Sequence, residues 1–458
     1  MPGRRPLLPG REDLRRLLSL AAPIVVVQVG LMFMGVVDTI MVGHVSAPDL
    51  AGTALGNLYF FGVCALAFGT LFALDPIVSQ AVGAGDQAGV ARAVQRGLLL
   101  AVALSLPTSA LFLPAAAVLR TLGQPADVVP RAAGFVRVSI PGILPFLSFV
   151  VLRQSLQAMG RMRPIVTTIV VANLLNAALC WVLVLGHLGS PVRGAIGAGI
   201  ASTLARWGMV VMLLAIAWRD LSPFLLSWRR DVWRLRPMVQ MLRLGVPIGI
   251  QFQLEFGVFA VVALLMGRLG TVPMAAHQVA INIASLTFMV PLGVSSAAAV
   301  LVGQSVGAGE PMRARRSAVA ALGTGAAFMA MSGAVLTLGP HVLAHVYSTE
   351  AAVVALATLL IPIAGVFQIF DGLQVVSIGV LRGVGDTRTP MIVNVLGFWL
   401  IGFPVSLWLG FVAGGGAVGL WWGLVVGLAA VATILLLRVR SRLRRSLERL
   451  VIEEHGAP

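Results

Sequence analysis

Three acidic residues inside long apolar runs are the side chains best able to do chemistry in this chain. Asp38, Glu255 and Asp371 each interrupt a stretch of mostly apolar residues. Charged groups in a membrane interior are costly, and by default they indicate a functional site. Burial disfavours an ionised carboxyl unless a counter-charge or a cation is present. Each position is therefore predicted to take up a proton, a metal cation or a cationic ligand.

One basic residue shares that apolar setting. Arg206 is the only candidate partner for the three carboxylates within the apolar runs, so at least two of them lack a fixed counter-charge. Asp75 lies nearer the end of its run and is followed by Pro76, which favours a structural role. The functional prediction therefore rests on the three carboxylates, with Arg206 as their charge partner.

Motifs for metal binding and for catalysis are weak in this chain. His341 and His345 are four residues apart, but Glu350 is the only carboxylate near them, so a metal site is not favoured there. The sequence contains no Walker A motif, nucleophile elbow or nucleotide-binding glycine loop. We expect no enzymatic activity and no cofactor. Cys64 and Cys180 both lie in apolar runs and are predicted to be buried thiols.

The apolar runs themselves predict an all-α integral membrane protein. Hydrophobic residues make up 58% of the 458 residues and charged residues 11%, against roughly 25% charged in soluble domains. A spanning helix needs about 20 apolar residues. Twelve spans are predicted, at residues 17–41, 52–79, 92–119, 132–157, 164–186, 195–218, 240–266, 274–302, 315–340, 352–380, 390–411 and 417–438.

The positive charge predicts how the chain is oriented. The formal net charge is +16 and all 33 basic residues are arginine. Nucleic-acid binding would explain such a charge, but the arginines cluster in short segments between apolar runs. With a cytoplasmic N-terminus, 27 arginines fall in cytoplasmic segments and five outside, as the positive-inside rule requires. We expect a bacterial inner-membrane protein with both termini in the cytoplasm and no nucleic-acid partner.

An internal repeat predicts two homologous halves. Six spans separate the copies, so both halves share one orientation, an arrangement that favours a site between them and alternating access. The predicted domains are an N-terminal six-helix bundle (1–218), a linker (219–239) with Trp228 and Trp233 at headgroup depth, and a C-terminal six-helix bundle with a basic tail (240–458). The matching pairs are Ser79–Asp86 with Gly303–Glu310, Ala22–Pro23 with Val246–Pro247, and Leu156–Gly160 with Leu381–Gly385.

Several segments resemble the multidrug and toxic compound extrusion (MATE) family of the MOP flippase superfamily, and its NorM-type members in particular. The resemblance covers nearly the whole chain, and it implies the V-shaped architecture of two six-helix bundles. The segments that carry it are Val36–Gly43, Asp75–Gln80, Ala275–Ala280, Gly303–Gln304 with Gly307, Asp371–Gln374 and Leu381–Arg388.

The resemblance implies an antiporter that exports organic cations and amphipathic drugs in exchange for H+ or Na+. Glu255 and Asp371 would hold the coupling cation in the C-terminal half, and either H+ or Na+ could occupy them. Asp38, with Asn176 and Ser202, would serve the N-terminal half. We expect a monomer whose other partner is membrane lipid. The residues implied for substrate binding are Asp38, Asp371, Phe367 and Glu350.

Three positions depart from the family pattern. Phe367 stands where many NorM-type members have Tyr, Cys180 where many have Asn or Asp, and Ser202 where Thr is common. Arg206 lies one helical turn beyond Ser202 on the same face. We hypothesise that Arg206 pairs with Asp38 in one state of the protein. A fixed cation there would oppose Na+, so the hypothesis favours H+ as the coupling ion.

Two other functions remain as alternatives. A flippase for lipid-linked, polyprenyl-pyrophosphate sugars would need several basic residues facing the cavity, whereas the spans offer Arg206 against three carboxylates. A membrane-embedded transferase would need His/Asp or Asp-rich motifs at one interface, and the sequence shows none. The duplicated architecture favours transport over the transferase.

Overall fold

A computed structural model describes residues 9–227 and 230–452. Arg4, Arg5 and Trp228, which the sequence assigns to the tail and the linker, lie outside these ranges. Every regular element in the described part is helical, which confirms the predicted fold class. Twelve helices there are long and apolar enough to cross a membrane: α1 Arg11–Gly43, α2 Ala47–Gly83, α3 Gln87–Phe112, α4 Val129–Ala158, α5 Met162–Leu183, α6 Gly194–Ile216, α7 Leu235–Leu269, α8 Thr271–Gly307, α9 Pro311–Leu338, α10 Ala351–Gly383, α11 Arg388–Val412 and α12 Gly416–Arg444.

Prolines account for several irregularities in these helices. The predicted span 92–119 is in fact α3 followed by a separate helix, Ala115–Thr121, with Pro114 at its N-cap. Helix α2 is interrupted after Leu71 and resumes at Leu74, just before Pro76. A proline has no N–H and cannot continue the helical hydrogen-bond ladder. The interruption is closed by tighter bonds, such as the Asp75 N–H to the Phe72 carbonyl at 3.1 Å.

The described residues also contain short helices and local 3-10 and π-helical turns. The middle of α4 tightens at Ile140–Gly142 around Pro141. Helix α7 begins at Leu235, within the segment predicted as a linker. The other short elements are the helices Trp218–Leu225 and Pro340–Tyr347, the 3-10 turn Arg230–Trp233, and the π-helical turns Val395–Gly402 and Trp408–Val412 within α11.

The described residues pack into two compact units. The N unit comprises residues 26–78, 86–227 and 230–249, and the C unit comprises residues 9–25, 79–85 and 250–451. The chain passes between the two units within α1 and again within α7. Each crossing comes two residues after a proline, Pro23 in α1 and Pro247 in α7. Proline inside a helix favours a bend, so the same sequence position in both halves marks the change of unit.

Within the C unit, the two copies of a glycine motif contact each other. The motif is the repeated segment found at Ser79–Asp86 and again at Gly303–Glu310. A Cβ added at Gly83 would overlap the backbone carbonyl of Gln304, and one added at Gly307 would overlap that of Gln80. The fully buried Gln80 amide donates from Nε2 to the Gly383 carbonyl at 2.9 Å, and its Oε1 accepts from the Leu450 N–H at 2.7 Å. Only glycine lets the two backbones come this close.

Candidate ion- and substrate-binding sites

In the N unit, Asp38 is enclosed by neutral hydrogen-bond donors. The residue is 2% exposed. Its Oδ1 accepts from Asn176 Nδ2 at 2.7 Å and from the Cys180 thiol at 3.2 Å, and its Oδ2 accepts from the Ser202 hydroxyl at 2.7 Å. None of these donors carries a charge, so they hold and orient the carboxylate without neutralising it.

Helical spacing and one close helix contact explain this arrangement. Asn176 and Cys180 are four residues apart on α5, so they share one face of that helix. Gly30 lets α1 approach α5, because a Cβ at this position would overlap the Ile169 side chain. Asn173 Nδ2 then donates to the Gly30 carbonyl at 3.0 Å. The approach brings the second half of α1, and with it Asp38, against the polar face of α5.

Arg206 lies beside this cluster and rests on an aromatic ring. Its guanidinium carbon is 3.7 Å from the centre of the Phe60 ring and 5.9 Å from that of Phe146. The residue is 8% exposed, and its buried Nη1 has no hydrogen-bond partner within the described residues. Arg206 interacts with Asp38 through charge, but no ion pair joins them within the described parts of the chain. A desolvated cation–π contact contributes about 2 kcal/mol.

In the C unit, two carboxylates lie within electrostatic range of each other. Asp371 on α10 is 7% exposed and Glu255 on α7 is half-buried. The two interact electrostatically. Like charges at close range disfavour ionisation of both groups, unless a cation lies between them or they share a proton. The pair can therefore hold either a proton or a cation.

Phe367, on the same helix as Asp371, belongs to a cluster of aromatic rings that includes polar atoms unpaired within the described residues. Phe367 lies one turn before Asp371, and its ring meets Phe259 at 6.2 Å and Trp421 at 5.9 Å, edge to face. Trp421 lies 5.7 Å from the buried His277 ring. Nδ1 of His277 and Nε1 of Trp421 have no hydrogen-bond partner among the described residues. Buried polar atoms are normally paired, so these two offer contacts to water or to a ligand.

Glu350 lies apart from the C-unit carboxylates. It is exposed at the N-cap of α10, on the same helix as Asp371. At 1.5 Å of rise per residue, the two are separated by about 30 Å. The structure thus brings Glu255, Asp371 and Phe367 together in the C unit and Asp38, Asn176 and Ser202 together in the N unit. It does not bring Glu350 to Asp371.

Several residues at these sites were not among the sequence candidates. Phe60 belongs to an aromatic run, Tyr59–Phe61, and nothing local indicates which ring faces Arg206. Phe146 and Trp421 carried no signal at all. His277 lies in one of the segments that resemble the MATE family, which was the one available indication.

Removing a single donor to Asp38 should lower stability. We expect Ser202→Ala to reduce the free energy of unfolding by about 1–3 kcal/mol, because a buried acceptor loses its hydrogen bond. Ser202→Thr keeps the hydroxyl and should remain close to wild type. Thermal unfolding of the purified protein in detergent measures both variants. Equal melting temperatures for the alanine and threonine variants would contradict the assigned bond.

Taken together, twelve spans, a duplicated architecture and buried carboxylates in each unit define a multi-pass membrane protein of the transporter class. The MatE family model matches residues 23–182 and 247–408, one copy in each half of the chain. The chain belongs to the MATE family.

Relatives of known name cover almost the whole chain. The "Probable multidrug resistance protein NorM" of Bradyrhizobium diazoefficiens is 37% identical over 438 residues, which is 93% of both chains. The "Multidrug resistance protein NorM" of Burkholderia vietnamiensis is 37% identical over 428 residues, 91% of both. Among solved structures, the eukaryotic MATE transporter AtDTX14 superposes with a TM-score of 0.86 at 25% identity, covering 94% of this chain and 99% of that one. These similarities confirm the resemblance seen in the sequence.

Proposed function

We propose that the protein is a multidrug efflux transporter that exports organic cations and amphipathic drugs in exchange for H+ or Na+. The similar proteins of Bradyrhizobium and Burkholderia are named for multidrug resistance. The observation that carries the proposal is Asp38, a buried carboxylate that three neutral donors orient and that forms no ion pair with any residue in the described ranges. Such a carboxylate can bind the coupling ion and the drug cation in turn, because no fixed cation within the described residues occupies it in an ion pair.

Competition for a carboxylate produces the exchange. If a drug cation and the coupling ion both need the same negative charge, binding of one favours release of the other. Glu255 and Asp371 supply this charge in the C unit, and Phe367 adds an apolar wall beside it. Alternating access of the two halves, which parallel repeats favour, would carry each bound cation across the membrane.

The flippase alternative receives less support from these sites. Pyrophosphate recognition relies on several convergent Arg or Lys side chains. At the Asp38 site Arg206 is the one cation within the described residues, and it lies beside an anionic carboxylate.

Ethidium transport in proteoliposomes tests the proposal. We expect wild type to move ethidium under a pH gradient or a Na+ gradient, and Asp38→Asn to slow it at least about tenfold, since the charge that the cations share is lost. Glu310→Gln is the matched control, because Glu310 is exposed and pairs with Arg313 at 2.8 Å. If wild type moves no ethidium under either gradient, the proposal fails and lipid-linked sugars become the substrate to test.

A further inference from the structure

The oxygen atoms around Asp38 form an incomplete cation site. Asp38, Asn176 and the Ser202 hydroxyl converge at hydrogen-bond distance. The Oδ1 atom of Asn176 is buried and has no hydrogen-bond partner among the described residues. A hard monovalent metal ion such as Na+ binds through several oxygen ligands. These three side chains would supply such ligands if nothing opposed the ion.

Arg206 supplies a positive charge that opposes a metal ion at this site, and its surroundings hold it in a defined position. The guanidinium carbon lies over the Phe60 ring, 3.7 Å from its centre, and 5.9 Å from the centre of the Phe146 ring. Gly142 leaves space for it, because a Cβ there would come within 3.3 Å of Nη1 and 3.4 Å of Cδ. Among the residues that the structure describes, its buried Nη1 has no hydrogen-bond partner, so the Phe60 ring and the space beside Gly142 hold it in place. The positive charge therefore stays within electrostatic range of Asp38.

We infer that Arg206, seated on Phe60, makes the Asp38 site selective for a proton over Na+. A metal ion at the cluster would be repelled by the full positive charge of Arg206, and a medium of low dielectric strengthens that repulsion. A proton removes the charge of Asp38 by forming an O–H bond, and it needs no shell of ligands. Arg206 is thus a selectivity residue that acts through Asp38. This inference rests on the proposed function, because it concerns the ion that drives export.

Na+ binding without transport tests the inference. The C-unit carboxylates could bind Na+ themselves, so every variant is built on Glu255→Gln/Asp371→Asn. In that background we expect Na+, compared with choline at equal ionic strength, to leave the melting temperature unchanged. Adding Arg206→Met should produce a saturable rise in melting temperature, with Na+ affinity about tenfold tighter or more.

Two further variants separate charge from packing. Arg206→Lys keeps the positive charge, and it should show no Na+ response. Asp38→Asn added to Arg206→Met should abolish the response, because the Na+ ligand is lost. The inference is overturned if Arg206→Met binds Na+ no better than its parent, or if the parent already shows an Asp38-dependent Na+ response. The Na+-dependent melting temperatures are measured without a drug. They can therefore be interpreted even if the protein proves not to export drugs.

Discussion

Asp371→Asn is expected to cut energised export of ethidium to about a tenth of the wild-type rate or less, because ionisable residues inside a membrane mark ion pathways and asparagine cannot ionise. Asp371 is 7% exposed and lies within electrostatic range of Glu255. Asparagine keeps the shape but cannot take up a proton or balance a cation. The pair would then carry one carboxylate, and the coupling that we propose for it would be lost.

Everted vesicles under an imposed pH gradient, and separately under a Na+ gradient, provide the measurement. Asp127→Asn is the control, since Asp127 is exposed in the segment before α4. Its export rate should match wild type. The melting temperature of Asp371→Asn should stay near or above that of wild type, because a buried like-charge contact has been removed. Full-rate export by Asp371→Asn would place the coupling charge outside the C-unit carboxylates.

Gly307→Ala is expected to destabilise the protein severely. A Cβ at this position overlaps the backbone carbonyl of Gln80, and backbone cannot rotate aside as a side chain can. Overpacking a close contact costs about 1–3 kcal/mol, and more where backbone must move. We expect a lower melting temperature and a reduced yield of monodisperse protein. Fluorescence-detected size-exclusion chromatography after heating measures both.

Gly323→Ala is the matched control for that experiment. Gly323 lies in the helix α9, and a Cβ there would meet nothing within 4 Å. Alanine is favoured over glycine in helices, so this variant should equal or slightly exceed wild type. If both variants melt at the same temperature, the close approach of Gly307 to Gln80 does not exist in solution.

Much of the fold follows from the sequence, because a long apolar run that crosses a lipid bilayer is stable as an α-helix, in which every backbone polar group is hydrogen-bonded. Each predicted span has a corresponding long helix. The main departure from the predicted spans is the break at Pro114. Hydropathy is averaged over a window of residues, so it does not detect a break at a single residue. The position of Arg206 on the same helix face as Ser202 could also be predicted, because four residues separate the two.

The rest depends on which helices meet, and no local pattern encodes that. The Cys180 thiol reaches Asp38 because Gly30 brings α1 close to α5. The seat of Arg206 needs Phe60 from α2 and Gly142 from α4. Sequence periodicity gives the face of a helix but not its neighbour, so these contacts were beyond prediction.

The contact between the two glycine motifs also limits how far either copy can vary. Gly83 lies against Gln304 and Gly307 lies against Gln80, so each copy plays both parts. Reciprocal contacts of this kind belong to isologous interfaces, in which one surface patch meets itself across a two-fold axis. A side chain added at either glycine would therefore disturb a contact in which both copies take part. Each copy of the motif can therefore diverge only as far as the other copy can accommodate.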